Sequence, residues 1–520
     1  TMDTTFRSMY QGLSAFASAT QKRRDLLLAQ RLPAFDETFS TRISAAPDDF
    51  SRVALKAQAA QDYFLLIGPP GTGKTSCALK KMVETFYQEE NTQILLLSYT
   101  NRAVDEICKS LSSIKPEVDF IRVGSELSCD EAYRNHLIEN ELALCSRRSE
   151  VVERITRCRI FVGTVASISG KPELFRLKTF DVAIIDEATQ ILEPQLLSIL
   201  CARSTTGNDA IGKFILIGDH KQLPAVVLQR EEQSEVHNEQ LRAIGLTNLK
   251  DSLFERLYRT VRELTMDSGQ LTVNSGQWTV DSGYAACKQR SNCPLSIVNC
   301  QLPNCQQSTV NCQFSFDMLC RQGRMHPEVA LFANRTFYEG RLLPVGLPHQ
   351  QENSPAITRL AFYPSEPEPV GASAKINHSE ARIAARLALT IYQREGTENF
   401  NTTRTLGIIT PYRSQIALIK QEIARLNIPA LNEILIDTVE RFQGSERDII
   451  IYSFCVNYPY QLRFLSNLTE DNGILIDRKL NVAMTRARKQ MFITGVPNLL
   501  KLNPIYLSLI KLANEQVCFK

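Results

Sequence analysis

Short apolar runs alternate along this chain with longer stretches whose apolar positions recur at helical spacing. From about Asp62 the runs are YFLLIG, QILLLSY, RIFVGT, FDVAIID and KFILIGD, with a helix to about Phe86 after the first and the amphipathic AVDEICKSL after the second. Continuous apolar runs suit strands buried on both faces, and their alternation with helices predicts βαβ units around a parallel sheet. The rhythm resumes from about residue 317 with FDMLC, RTLGIIT, a helix over 414–426, EILIDTV, DIIIYSF and QMFITG, which predicts a second parallel sheet. Residues 1–60 read as a helical, charged N-terminal segment without strand pattern, and 111–158 as a mostly helical, polar insertion between strands. The expected organisation is therefore α/β: helical segment 1–60, first domain 61–265, a low-complexity insertion 266–316 and a second domain 317–520.

The 266–316 stretch departs from its surroundings. DSGQLTV at 267 recurs as NSGQWTV at 274 and begins again as DSG at 281, and Asn-Cys pairs follow at 292, 299, 304 and 311. Asp267, Asp281, Lys288 and Arg290 are its only charged residues, where the chain average of 22% would place about eleven. Five of the 14 cysteines crowd here: Cys287, Cys293, Cys300, Cys305 and Cys312. Metal sites usually bring two ligands within two to four residues of each other; here the intervening gaps are five, six, four and six residues, set by the repeats themselves, so duplication of a repeat explains the spacing better than ligation. The other nine cysteines are scattered through apolar elements, where a free thiol behaves as a small hydrophobe.

Composition adds exclusions. With 520 residues, 43% hydrophobic, 22% charged and a net charge of +3, the chain is no disordered, collagenous or coiled-coil protein, and the balance leaves a polyanionic partner open. No apolar run approaches the ~18 residues of a membrane span and no signal peptide opens the chain, so no membrane association and a cytoplasmic location are expected. The chain opens on Thr1 rather than Met, which leaves room for sequence upstream.

The chemistry is concentrated in a few loops that follow strands. GPPGTGKT comprises Gly68, Pro69, Pro70, Gly71, Thr72, Gly73, Lys74 and Thr75, between a strand and a helix. Glycines there let backbone N–H groups and a helix N-terminus wrap phosphates, Lys74 neutralises the β/γ oxygens, and Thr75 offers a hydroxyl to Mg²⁺. AIIDEAT ends a strand in Asp186, placed to hold the metal, and Glu187, placed to orient and deprotonate water. An Asp-Glu pair alone is often a solvated strand end; behind a phosphate loop it becomes the expected second half of a nucleoside-triphosphate site. In GDHKQLPAVV, Gln222 is a neutral amide suited to sensing the γ-phosphate, and His220 lacks the partner spacing of a metal ligand. Arg324 in QGRMHP, and Arg478, Arg486 and Arg488 in RKLNVAMTRAR, are cationic candidates for stabilising a transferring phosphoryl group.

Taken in order, GPPGTGKT, YTNRAVDEI, VGTVASI, IIDEATQ, GDHKQLPAVV, QGRMHP, TPYRSQI, DTVERFQGSERDIII and RKLNVAMTRAR closely resemble superfamily 1 helicases, in the 5′-to-3′ branch that contains the nonsense-mediated-decay helicase and its DNA-acting relatives. The resemblance covers roughly residues 60–500 apart from the insertion. It implies two RecA-like domains of the P-loop NTPase class, ATP with Mg²⁺ in a cleft between them, and single-stranded nucleic acid across both. It implies ATP-site roles for Lys74, Thr75, Asp186, Glu187, Gln222, Arg324 and Arg486, with Gly444 and Glu446 lining the same cleft. It implies strand contacts for Thr100, Asn101, Gly163, Thr164, Pro411, Tyr412 and Thr438. The expected function is an ATP-dependent helicase or translocase, DNA favoured over RNA; an ATPase clamp that remodels complexes without unwinding would need the same motifs.

Two departures fall on base recognition. The family's adenine-gripping Gln is expected near Phe50, where none stands, and the Tyr of its QYRMHP motif is here Gly323. The accessory barrel of many relatives also has no room in the ~60 residues before the phosphate loop; it lies upstream of Thr1 or is absent.

Overall fold

The computed structural model describes residues 2–227, 229, 231–269, 314–354, 357–442, 444–471 and 473–518. These fall into two compact units: Thr1–Gly68, Gly73–His220 and Pro224–Leu319 in the first, and Pro69–Thr72, Lys221–Leu223 and Cys320–Lys520 in the second.

The first unit is built on seven strands, β1 (Tyr63–Ile67), β2 (Ile94–Ser98), β3 (Phe120–Val123), β4 (Ile160–Thr164), β5 (Phe180–Ile185), β6 (Ile211–Gly218) and β7 (Phe316–Met318). They lie in the order β3-β4-β2-β5-β6-β1-β7, and every pairing is parallel. Side chains of successive strand residues enter two cores, one on each face, which is why β1, β2 and β4 are apolar and buried at nearly every position. The strands share one direction, so their C-terminal ends bring Gly68, Ser98, Thr164, Asp186 and Gly218 to a single edge, where sheets of this kind carry ligands.

The helical N-terminal residues are part of this unit. Helix Met2–Ala17 lies on Glu193–Leu200 so closely that a Cβ at Gly12 would stand 1.7 Å from the Pro194 carbonyl oxygen. Farther along, Arg23 is buried and its Nη2 donates to the carbonyls of Ile211 (2.5 Å) and Gly212 (3.2 Å) in β6. Arg31 grips Asp62 with two bonds of 2.8 and 2.7 Å at the entry to β1.

Three elements differ from the sequence reading. The segment expected to be a helical insertion contains β3, whose four residues are all buried at the sheet edge; a run that short carries too little periodicity to stand out from flanking helix. FDMLC, expected to open the second sheet, supplies β7 beside β1, with Leu65, Leu66 and Ile67 opposite Phe316, Asp317 and Met318. The first unit thus runs on to Leu319, past the boundary expected at 317. An apolar run records burial and not the sheet that buries it. Most of the repeat region read over 266–316, including its five cysteines, lies outside the described residues.

The second unit has a five-stranded parallel sheet in the order Leu360–Pro364, Ala487–Gly495, Arg447–Ser453, Leu406–Ile409 and Leu435–Asp437. The Leu360–Pro364 edge strand went unseen in the sequence. Helices His378–Glu395 and Arg413–Ala424 cover one face around Ala381, Ala384, Ala388, Ile419 and Ile423. Leu468–Asp471 and Ile474–Asp477 form a separate antiparallel hairpin. Among the described residues, no helix is long and apolar enough to cross a membrane.

Candidate active site

In the first unit β1 delivers Gly68, and Lys74 folds back over it: a Cβ at Gly68 would lie 2.0 Å from the Lys74 Cγ. Gly73 holds φ 78°, a left-handed conformation that a side chain would strain. The helix after it begins with a wide turn, in which Gly73 O accepts from both Cys77 N (3.0 Å) and Ala78 N (2.9 Å). That turn presents Lys74 and Thr75 toward the end of β5. Thr75 Oγ1 donates to Asp186 Oδ2 at 2.5 Å, Glu187 N donates to Asp186 Oδ1 at 2.9 Å, and Lys74 Nζ stands 3.9 Å from Glu187 Oε1. Glu187 occupies the left-handed region at φ 54°, and Gln190 Nε2 donates to its Oε2 at 2.7 Å. A left-handed backbone at a non-glycine residue is strained, and such strain concentrates at functional sites.

Asp186 is buried, and burial together with the neighbouring Glu187 pushes its carboxyl up to about 6, against the pull of Thr75 and Lys74. A carboxylate held in such a place is poised for a cation. Thr75 and Asp186 together make a hard-oxygen pair that fits Mg²⁺, which takes one or two protein oxygens and completes its shell with water and phosphate. Among the described residues no group of three or more His, Cys, Asp or Glu gathers into a metal cage, and this mode of binding needs none.

Farther along the same edge, Thr100 and Thr164 each cap a helix. Thr100 Oγ1 accepts from Ala103 N at 3.2 Å and Thr164 Oγ1 from Ser167 N at 3.0 Å. Thr100 is exposed with Asn101 beside it, but Thr164 and Gly163 are buried. A Cβ at Gly163 would come within 2.9 Å of the Val123 carbonyl oxygen, so the glycine answers to strand packing as well. His220 rests on Tyr258, ring centroids 4.9 Å apart.

In the second unit four of the remaining candidates form two pairs. Arg486 Nη2 donates to Gln222 Oε1 at 3.0 Å, and Arg324 Nε donates to Glu446 Oε2 at 2.6 Å. Burial opposes ionisation of Glu446, but the guanidiniums of Arg324, Arg488 and Arg486 outweigh it and hold the carboxyl below its ordinary value. Gln322, which drew no attention in the sequence beyond its motif, fixes the Arg324 turn: its Oε1 accepts from Arg324 N (3.0 Å) and Met325 N (2.7 Å). In the phosphate loop, Thr72 Oγ1 donates to Pro69 O at 2.7 Å, and Gly71 (φ 75°) and Gly444 (φ 76°) are both left-handed. Pro411 and Tyr412 precede helix Arg413–Ala424, and the Tyr412 hydroxyl accepts from Gln461 Nε2 at 3.2 Å. Thr438 follows the end of strand Leu435–Asp437, its N–H donating to Asp437 Oδ1 at 2.8 Å.

A phosphate loop and an Asp-Glu strand end at one edge of a parallel sheet define a P-loop NTPase. Residues 48–144 and 141–230 match one AAA domain family model and residues 304–498 match another. The chain is 27% identical over 552 aligned residues to a DNA replication ATP-dependent helicase/nuclease DNA2 of Bos taurus, covering 96% of this chain and 43% of that protein. It is 22% identical to the DNA polymerase alpha-associated DNA helicase A of Saccharomyces cerevisiae (86% and 64% covered) and 25% identical to a regulator of nonsense transcripts 1 homolog of Neurospora crassa (89% and 38%). The chain belongs to the superfamily 1 helicases, in the branch that holds the nonsense-mediated-decay helicase and its DNA-acting relatives. It spans less than half the length of the helicase/nuclease relatives it matches.

Proposed function

We propose that the chain is an ATP-dependent helicase that moves 5′ to 3′ on single-stranded nucleic acid, with DNA preferred to RNA. The observation that carries the reading is the Lys74–Thr75–Asp186–Glu187 cluster at the end of β1 and β5 in a chain of this family. Residues 68–75, with Gly444 and Glu446, bind ATP. Thr75 and Asp186 would hold Mg²⁺, which supplies charge neutralisation of the phosphates. Glu187 takes the proton of the attacking water, Gln222 senses the γ-phosphate, and Arg324 and Arg486 stabilise charge on the transferring phosphoryl group. Thr100, Asn101, Gly163, Thr164, Pro411, Tyr412 and Thr438 line the strand. Two of them are buried, so at Gly163 and Thr164 the contact falls to backbone N–H groups at the start of helix Val165–Ser169. The preference for DNA is supported by two relatives whose names state DNA, against one named for nonsense transcripts.

The test is the ATPase rate alone, with single-stranded DNA and with single-stranded RNA, followed by strand displacement from duplexes with a 5′ or a 3′ overhang. Stimulation greatest with DNA and unwinding from the 5′ overhang are expected. ATPase activity indifferent to both strands would overturn the reading, and stimulation without displacement would make the protein a clamp.

A further inference from the structure

Beyond the motifs, the second unit exposes two large aromatic side chains on one turn. Pro459–Gln461 and Leu462–Leu465 form a continuous short helical run. On it Tyr460 is 55% and Phe464 70% exposed, while Gln461 and Leu465 are buried. Residues four apart share a helix face, so Tyr460 and Phe464 project side by side, and Gln461 and Leu465 form the anchoring side. Tyr458 stacks on Tyr460 with ring centroids 5.7 Å apart and planes 15° from parallel, which fixes the second ring's orientation.

The anchoring side leads to the expected strand path. Gln461 Nε2 donates to the Tyr412 hydroxyl (3.2 Å) and to Ala374 O (2.7 Å), and its Oε1 accepts from Asn457 N (2.9 Å) and Tyr458 N (3.0 Å). One buried amide thus ties the aromatic turn to the segment that carries Pro411 and Tyr412. Between Asp448 and Glu470 the only charged residue is Arg463, which is exposed on the same turn. An exposed aromatic pair with a cation beside it and no acid in the segment matches what unpaired bases require: flat apolar faces to stack on and a positive charge for the backbone.

We propose that Tyr460 and Phe464 form a stacking platform for the unpaired bases of the strand that passes Pro411 and Tyr412. This rests on the proposed function, and it adds base contacts to a set of strand residues that otherwise meets only phosphate and sugar. Because every base has an aromatic face, the platform tolerates any sequence.

The experiment measures affinity of the full chain for two fluorescent single strands of equal length, one ordinary DNA and one of abasic residues, with wild type, Tyr460→Ala, Phe464→Ala and the double variant. Wild type should bind the ordinary strand more tightly. Each variant should lose roughly fivefold or more on it while binding the abasic strand as wild type does. Melting temperatures within a degree or two of wild type, as expected for exposed positions, show that the variants are folded. Unchanged affinity of the double variant for the ordinary strand overturns the platform. Equal losses on both strands assign the turn to backbone binding and overturn it too. If the variants bind both strands normally but abolish self-association in sedimentation, the patch joins two copies of the chain and the proposal is wrong. A wild type that binds neither strand defeats the proposed function itself.

Discussion

Glu380 offers a quantitative check on the second unit, because it is a carboxyl with no exposure and no cationic partner among its hydrogen bonds. It stands in the first turn of helix His378–Glu395, where Asn377 Oδ1 accepts from its N–H at 2.8 Å. Its Oε2 accepts from Ser453 Oγ (2.7 Å) and Cys455 N (2.9 Å), and its Oε1 lies 3.5 Å from Ser365 Oγ. Burial pushes the carboxyl up from 4.5 to about 7, against those donors. The folded state therefore holds this proton more tightly than the unfolded chain. The associated stability is present below pH 4.5, falls as pH rises, and is gone once pH passes 7. The rise corresponds to about 3 kcal/mol at pH 8 and to less than about 1 kcal/mol at pH 5. Glu380→Gln keeps the acceptor for Ser453 and Cys455, can turn its NH₂ toward Ser365, and cannot ionise. Its stability relative to wild type should therefore improve by roughly 2–3 kcal/mol between pH 5 and pH 8, whatever fixed cost the amide brings. Urea melts of both proteins at the two pH values measure the difference directly, and every other titrating group cancels. A gap between variant and wild type that is the same at both pH values would show that Glu380 ionises without penalty, and the reasoning would fail.

The remaining expectations concern the nucleotide site. Gly68→Ala should weaken ATP binding about tenfold or more, because the methyl would take the space of the Lys74 side chain and force it off the loop, as titration with a fluorescent ATP analogue would record. Lys74→Ala should lose nucleotide binding and hydrolysis together, whereas Glu187→Gln should bind ATP normally and turn over at least a hundredfold more slowly; a wild-type rate in Glu187→Gln would remove it as the base. Arg486→Ala should flatten strand stimulation of ATPase activity with little change in strand affinity, since its guanidinium donates to Gln222; equal losses in both assays would move it to the strand.

Both parallel sheets and every residue of the Lys74–Glu187 cluster were legible from the chain alone, because fully buried strands announce themselves as unbroken apolar runs and phosphate loops have fixed chemistry. Phe120–Val123 and Leu360–Pro364 were not, being short edge strands flanked by helix or loop. Phe316–Met318 was visible as a strand and assigned to the wrong sheet, since pairing is decided by what the rest of the chain leaves open beside Tyr63–Ile67. Thr164 was legible as a residue in a motif but not as a buried cap, and nothing local in the sequence marks Gln461 or Glu380 as the ends of polar networks. Those networks join positions 49 to 75 residues apart, Tyr412 with Gln461 and Glu380 with Ser453 and Cys455, and separations of that size leave no periodic trace.

The closeness of Gly12 to Pro194 has a practical use. A backbone seated within a methyl's width of its neighbour cannot slide or tilt independently, so helix Met2–Ala17 moves as one piece with Glu193–Leu200. That second helix begins six residues after Glu187. A spectroscopic label on the exposed Ser14 would ride on this assembly, giving an external pointer to displacements near the end of β5 that carries Asp186 and Glu187 without placing a probe in the phosphate loop.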